Sequence, residues 1–424
     1  MSPIRRRLLT ALGSTLTACG GLGIVLALVL YQSDDAAGVS PPGPSSPPLV
    51  TVTVRPAPRE APPEVPSALT ATVAFGGDML THMPVNASAA ASGGYDFTPL
   101  LAGVDRWIAA ADLAICQMEV PLAPPGRKPS GYPVFGAVPE LVRDMAEQGW
   151  DGCTTSSNHS LDQGWDGLSY TLETLKANGM GYAGTALTAA DAALPQLYRL
   201  TGNGQELTIA HIAATYGTNG IAVPPARPWS VNTPIDTAAM AKQAVAARAA
   251  GADVVLASIH AGVEYQTVPS AEQRAIVSRL AASGQIDAVI GDHPHVTQPM
   301  ELVPGGVDGQ GMWVVYSLGN FLSNQTDPVT GPNTDTGAVA FVTITKDITG
   351  ARVTAMTWAG VTVDSVHGHR LYMLQDSANG TLGQLSAAAI SLRYDRLKAI
   401  MGASPEQLTP PVPSGAKLEV LPRG

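Results

Sequence analysis

Two histidines one residue apart, His293 and His295, close the apolar run "DAVIGDHPHV" in a chain that has only eight histidines. Other residues able to bind metal or move protons follow similar runs. They are Asp78 and His82 in "FGGDMLTH", Glu119 in "CQMEVP", Asn158, His159 and Asp162 in "TSSNHSLDQG", and His260 and Glu264 in "SIHAGVEY". If the run before Pro294 is extended, alternation points His293 and His295 the same way, and the proline stiffens the link between them. Imidazole, carboxylate and amide oxygen together form a mixed N/O donor set. Such a set suits Mn, Fe or Zn better than Mg or Ca, and the lack of cysteine sets it apart from a structural zinc site.

Singly, each of these residues has an ordinary reading. Asp78 after two glycines fits a turn, Asn158 fits a helix cap, and a lone His260 fits a half-buried polar residue. Their common position argues for more. The runs "LTATVAFGG", "LAICQMEV", "DGCTTSS", "LTIAHIAAT", "VVLASIHAG", "DAVIGDH", "MWVVYSLGN" and "VAFVTITKD" read as strands bounded by Gly, Asp, Asn or Pro. Helical patterns such as "PELVRDMAEQG" and "SAEQRAIVSRLAASG" lie between several of them, so the expected class is α/β with parallel strands. In such sheets the loops after the strands converge on one crevice, and the polar residues fall there. The segment from Val339 to Asp364 lacks intervening helices and predicts an antiparallel edge. His211, in the middle of its run, reads as structural. His367 and His369 in "SVHGHRL" read as solvated loop residues.

The chain has 424 residues, 45% of them hydrophobic and 14% charged, and a formal net charge of −10. The acidic balance excludes an unspecific nucleic-acid surface, which needs clustered Lys and Arg. Arg5 to Arg7 precede a mostly apolar run from Leu8 to Tyr31, about the ~20 residues a bilayer core requires. The expected layout is a cytoplasmic tail (1–7), a transmembrane anchor (8–31), a Pro-rich linker (32–68), a folded domain (69–366), and a peripheral C-terminal segment and tail (367–424). The positive-inside bias places the domain outside the cytoplasm, on a single-pass cell-membrane protein. A cleaved signal peptide and a lipoprotein box at "LTAC" (Leu16 to Cys19) are the competing readings. Cys116 and Cys153 can pair or stay free. They are read as two buried small apolar side chains.

The blocks "GDMLTH", "MEVPL", "SSNHSLDQG", "HAGVEY", "GDHPHV" and "YSLGNF", from about Ala71 to Phe321, resemble in order and approximate spacing the bacterial capsule synthesis proteins of the CapA type, also called poly-γ-glutamate synthesis proteins. The resemblance implies a branch of the calcineurin-type metallophosphatase fold, a four-layer α/β/β/α sandwich with two divalent metal ions. It implies Asp78 and His82 as first-strand ligands, Glu119 as bridging carboxylate and Asn158 as amide ligand. His260, His293 and His295 would supply imidazoles, and His159 would assist the leaving group. Three residues rather than one separate Asp78 from His82, Glu119 stands where the wider fold uses Asp, and Gln117 stands where the capsule family commonly has Asn.

Two functions follow as expectations. One is a membrane-anchored metallohydrolase of the cell envelope acting on a phosphoester or, as the lesser alternative, an amide. The other is a non-catalytic accessory subunit that binds or guides anionic capsule polymer beside a synthase or exporter. Glu264, Asp162 and Asn320 are assigned to substrate contact or to support of the ligands.

Overall fold

The computed structural model describes residue 43 and residues 67–326, 330–377 and 380–423. The chain divides into Met1–Pro62 and Pro63–Gly424, and every described strand and helix lies in the second. The anchor expected at 8–31 lies outside the described residues, as does nearly all of the linker. Among the described residues no helix is long and apolar enough to cross a membrane.

Two large sheets carry the fold. The first is built on β1 (Leu69–Leu80), in which Leu69, Ala71, Val73 and Phe75 face one way and Ala74 and Met79 the other. On one side of β1, strands β4 (Leu113–Met118), β5 (Gly152–Thr154) and β6 (Gly181–Ala183) follow in parallel. On its other side β14 (Thr336–Asp347), β15 (Gly350–Asp364) and β16 (Arg370–Met373) run antiparallel, as the helix-free late sequence predicts. Strand β13 (Asn320–Ser323) pairs with the end of β1, while β2 (Ala90–Ala91) and β3 (Gly94–Tyr95) form a separate small ladder. The second sheet has a parallel centre of β8 (Gln205–Thr215), β9 (Val254–His260), β10 (Ala288–Asp292) and β12 (Met312–Leu318). Antiparallel strands flank it: β11 (Thr297–Val303) at one end, β7 (Gln196–Gly202) and β17 (Lys417–Leu421) at the other.

Strand alternation sorts the apolar residues into three layers. Val254 and Leu256 of β9 join Val73 and Phe75 of β1 between the two sheets. Val255 and Ala257 turn outward against the helices Thr237–Ala249 and Ala271–Ala282. Ala114 and Cys116 of β4 turn outward on the far side against the helices Glu140–Gln148 and Gly164–Ala177. Burial of this kind is worth roughly 25 cal/mol per Å² of apolar surface, and it is the main force holding the layers.

Four aspartates stitch the parallel strands at their amino ends. Asp112, Asp151, Asp253 and Asp287 stand immediately before β4, β5, β9 and β10. Each accepts a backbone N–H from the neighbouring strand, from Thr72, Ala114, Thr208 and Val255, at 2.8, 2.8, 2.8 and 2.7 Å respectively. The carboxyl ends are thereby left to the other polar residues.

Two sequence expectations are corrected. Cys116 and Cys153, able to pair or stay free and read as two buried small apolar side chains, face each other across β4 and β5 with a Cα–Cα separation of 4.4 Å and form a disulfide. The direct register of two parallel neighbours brings them together, and sequence spacing alone does not show that. The segment 367–424, read as a peripheral segment and tail, enters both sheets through β16 and β17. Its helix Ala387–Met401 puts Ile390, Leu397 and Met401 into the layer between the sheets. Arg423 is buried and donates to the carbonyls of Tyr182, Thr185, Asp191 and Leu194.

Candidate metal centre

The carboxyl ends of the two parallel centres meet. Asp78 lies near the end of β1, Glu119 just after β4, Asn158 and His159 after β5, and His260 and Asp292 end β9 and β10. The "GG" before Asp78 has a steric cause. A Cβ on Gly77 would stand 1.9 Å from the carbonyl oxygen of Gly319, so only glycine lets β1 approach the turn between β12 and β13. Asp78 N then donates to that carbonyl at 2.9 Å, and Asp78 comes into register with Asn320.

His293 and His295 converge by a different route from the one expected. They lie in a bend rather than an extended segment, with φ of 100° and 59°. Left-handed backbone at two non-glycine residues costs of order 1–3 kcal/mol each and persists where surrounding structure imposes it. The bend sets the two rings 6.0 Å apart and places His293 4.9 Å from His260.

Two donor sets result, and they share one carboxylate. Asp78, Glu119 and His295 form one and Glu119, His260 and His293 the other, with the donor atoms of each set within 4.8 Å of one another. Glu119 Oε1 lies 3.7 Å from His295 Nε2 and 3.8 Å from His260 Nε2. Asn158 Oδ1 adds a fourth donor to the second set, 2.7 Å from His260 Nε2. All four carboxylate oxygens of Asp78 and Glu119 are buried without a hydrogen-bond partner of good geometry, although His295 Nδ1 lies 3.3 Å from Asp78 Oδ2. Burying unpartnered carboxylates costs several kcal/mol each unless a cation compensates, so the residues present fit a pair of divalent ions.

Neighbouring amides fix the donors. Asn320 commits its Nδ2 to Gln325 Oε1 and the Thr334 carbonyl, at 3.0 and 2.9 Å, so its Oδ1 faces His295 Nδ1 at 3.1 Å. That partner keeps a hydrogen of His295 on Nδ1, so Nε2 is the nitrogen that faces Glu119. Asn158 donates from Nδ2 to Asn219 Oδ1 at 3.3 Å, which turns its Oδ1 inward. Gln117 Nε2 lies 3.3 Å from His260 Nδ1.

Electrostatics match a site built for cations. Burial, then the charge of Asp78, raises Glu119 well above its ordinary value. Burial, then Asp78 and Glu119, does the same to Asp292. Burial holds His260 well below its usual value and His293 down at about 3, with the neighbouring imidazoles adding to it. In His295 burial acts downward, but Glu119 and Asp78 outweigh it and raise the group to about 9.

His159 stands beside the donors. Its Nδ1 donates to Asp162 Oδ2 at 2.7 Å, and the same oxygen accepts from Phe135 N at 2.7 Å. Nε2 is left for proton transfer. His82 falls outside both donor sets. Its Nδ1 lies 3.0 Å from the Leu80 carbonyl, and it lines a cavity of about 360 Å³ together with His159, Glu264 and His295. Glu264 is exposed and comes within 4.8 Å of donor atoms of both His293 and His295.

Sequence reasoning missed Asp292, Asn219 and Tyr216. Asp292 stands beside His293 in "GDHPH" and was legible as a strand-end acid. Asn219 and Tyr216, which packs 4.6 Å from His293, come from a long loop with no periodic signal. His369, read as solvated, is buried and bridges Ser88 Oγ and Asn324 Oδ1, both at 2.8 Å. His367 pairs with Asp364 at 2.8 Å.

The fold and site define a mixed α/β protein with two overlapping groups of candidate metal donors where the ends of its parallel strands meet. The family of bacterial capsule synthesis proteins, PGA_cap, matches residues 72–325, more than half of the chain, and the chain belongs to it. It is 26% identical over 194 residues to the capsule biosynthesis protein CapA of Bacillus anthracis, covering 45% of this chain and 44% of that protein. To the PGA biosynthesis protein CapA of Bacillus subtilis it is 28% identical over 187 residues, covering 44% and 46%. The matches thus span under half the length of these relatives. Among solved structures, the calcineurin-like phosphoesterase YfkN from Bacillus subtilis aligns with a TM-score of 0.38 at 14% identity, covering 78% of this chain and 98% of that one.

Proposed function

We propose that this chain is a membrane-anchored, extracytoplasmic metal-dependent phosphoester hydrolase of capsule biosynthesis, with the metallophosphatase arrangement of two divalent ions (Mn, Fe or Zn). The observation that carries the reading is Glu119, buried, unpartnered and shared by two donor sets beside the His159–Asp162 pair. Asp78, Glu119 and His295 would hold one ion, and Glu119, Asn158, His260 and His293 the other. Cations bound so supply Lewis-acid activation of water and of a phosphoryl oxygen. His159, held by Asp162, donates a proton from Nε2 to the departing oxygen. Outside the cytoplasm a disulfide such as Cys116–Cys153 persists, which supports the placement read from Arg5–Arg7 and the apolar run after them.

The names of the Bacillus relatives favour a second reading, in which the same site binds or guides anionic capsule polymer for a synthase or exporter without turnover. Metal analysis of the purified chain, with hydrolysis of generic phosphoesters in added Mn, separates the two. Two ions per chain with Mn-dependent turnover supports the hydrolase. Bound metal with no turnover supports the accessory role, and failure to bind metal defeats both.

A further inference from the structure

The cavity beside the donor sets contains information about the rest of the substrate. Its walls include Tyr132, Phe135, Tyr265, Asn324 and Gln325 together with His82, and among the described residues no Lys or Arg lines it. Among the described residues that line it, the one formal charge besides the imidazoles is the Glu264 carboxylate. Arg127, in the loop that leads to Tyr132, is turned away to the Gln163 carbonyl and Asp166. Burial holds His82 neutral, down at about 4.

The wall chemistry is specific. Tyr132 is 82% exposed at the rim, an aromatic face left in water beside a polar cavity. Phe135 stacks edge-on against His82 and His159, with ring centroids 5.2 and 4.8 Å apart, so the ring wall reaches the proton donor. Asn324 Oδ1 accepts from His369 Nε2, which leaves the Asn324 Nδ2 hydrogens free to meet a ligand. Gln325 Nε2 lies 3.4 Å from the Tyr265 hydroxyl. Aromatic faces alternating with neutral amide and phenol groups suit a ring with apolar faces and hydroxylated edges. A volume of about 360 Å³ lies at the small end of the ~300–1,000 Å³ usual for ligand cavities. Away from the donor sets these walls offer a chain of free carboxylates only Glu264, with no Lys or Arg among the described residues, and like charges brought together at an interface cost several kcal/mol.

We infer that the cavity seats an uncharged glycosyl unit, so that the substrate is a glycosyl phosphoester whose phosphoryl group lies at the donor sets and whose sugar packs on Tyr132 and Phe135. This rests on the hydrolase reading above. In the reaction the oxygen of water bonds to phosphorus and the bond from phosphorus to the sugar oxygen breaks. A proton passes from His159 to that oxygen and the proton released by the attacking water restores His159, giving free sugar and hydrogen phosphate.

The test compares the metal-loaded full chain with Tyr132→Ala on a hexose 1-phosphate and on methyl phosphate, which has no ring. Tyr132 is too exposed for its loss to threaten folding. The expected result is that the wild type prefers the hexose ester, and that Tyr132→Ala lowers kcat/KM about tenfold for that ester and leaves methyl phosphate unchanged. Equal effects on both esters, or none on either, overturn the inference. If the wild type hydrolyses neither ester, the hydrolase reading fails, and equilibrium binding decides the cavity on its own. A neutral disaccharide whose affinity drops in Tyr132→Ala supports a glycosyl seat. Binding of a γ-linked glutamate oligomer in its place, or of neither probe, overturns it.

Discussion

Asn320 Oδ1 accepts a hydrogen bond from His295 Nδ1 at 3.1 Å, while the Asn320 Nδ2 group is pinned by Gln325 and Thr334. The amide therefore sets which imidazole nitrogen is free. Supports of this kind typically account for 10–100-fold in metal affinity. Asn320→Ala is expected to weaken Mn binding by about that factor, measured by calorimetric titration, with far-UV circular dichroism unchanged. Wild-type affinity in the variant would mean that the His295 ring is held by other contacts.

His159 and Asp162 give a prediction that depends on the leaving group. Replacing His159 by Ala is expected to lower kcat on an alkyl phosphoester by about 10²–10⁴-fold. The loss is expected to be much smaller on a p-nitrophenyl ester, whose leaving oxygen needs no proton. Asp162→Asn should follow the same pattern more weakly, because Asp162 acts through the ring it orients. Metal content should stay at the wild-type value in both, since neither residue belongs to a donor set. An equal loss on the two esters would remove His159 from proton donation.

The sequence made the strands and most of the candidate donors legible for one physical reason. A parallel strand buried on both faces is a short apolar run, and the first polar residues after it fall at the crevice, as Asp78, Glu119, His260 and His293 do. What it could not show depends on register or on irregular backbone. The Cys116–Cys153 bond needs β4 and β5 aligned. The approach of His293 and His295 needs two left-handed residues, where period-two alternation gave a similar answer from the wrong geometry. Asn219 comes from a loop, and loops carry no period. The aspartates before β4, β5, β9 and β10 were visible in "ADL", "WDG", "ADV" and "IDA", but their shared role appears only once neighbouring strands are known.

The buried charges make stability depend on pH when metal is removed. The His295 imidazole, at about 9 in the fold, lies above its unfolded value of about 6.5. Its protonated form therefore adds stability that is complete below pH 6.5 and is lost as pH rises through 9. Glu119 and Asp292, both raised, act in the same direction, because the folded chain holds their protons longer. His260 and His293 are lowered, so their contribution rises with pH but is complete just above 6.5. The Tm of the metal-free chain is expected to fall from pH 7 to 9.5, and saturating Mn should raise it and flatten the slope. Glu119→Gln should flatten the metal-free slope as well. A metal-free Tm that does not change across this window would contradict the coupling of His295 to the two carboxylates.

The disulfide closes a loop of 37 residues between two strands that lead into the site. By the loop-entropy relation its removal costs about 3–4 kcal/mol. The paired replacement of Cys116 and Cys153 by Ala should move the urea midpoint down accordingly, and it should raise kcat and KM little because neither sulfur reaches a donor. A midpoint within error of the wild type would show that strand pairing and the apolar layer alone hold β4 against β5.

Arg423 tests whether the chain's end is structural. Its guanidinium is buried, donates to four carbonyls and pairs with Asp191 at 3.0 Å. Asp191 in turn accepts from the Tyr182 hydroxyl and from Leu187 N. Removing one partner of a buried pair strands the other, at a cost of about 3–5 kcal/mol. Arg423→Ala should therefore destabilise the protein as much as a large core deletion. Because β17 docks on β7 through backbone bonds ending at Leu421, the amides of that edge should lose exchange protection first. The candidate metal centre lies on β1, β4, β9 and β10, in the middle of the two sheets and away from the β7–β17 edge, so Mn affinity should be unchanged at temperatures where the variant is folded. Loss of metal affinity in folded Arg423→Ala would show that the terminal strand and the donor sets are energetically coupled, and that the end of the chain takes part in shaping the site.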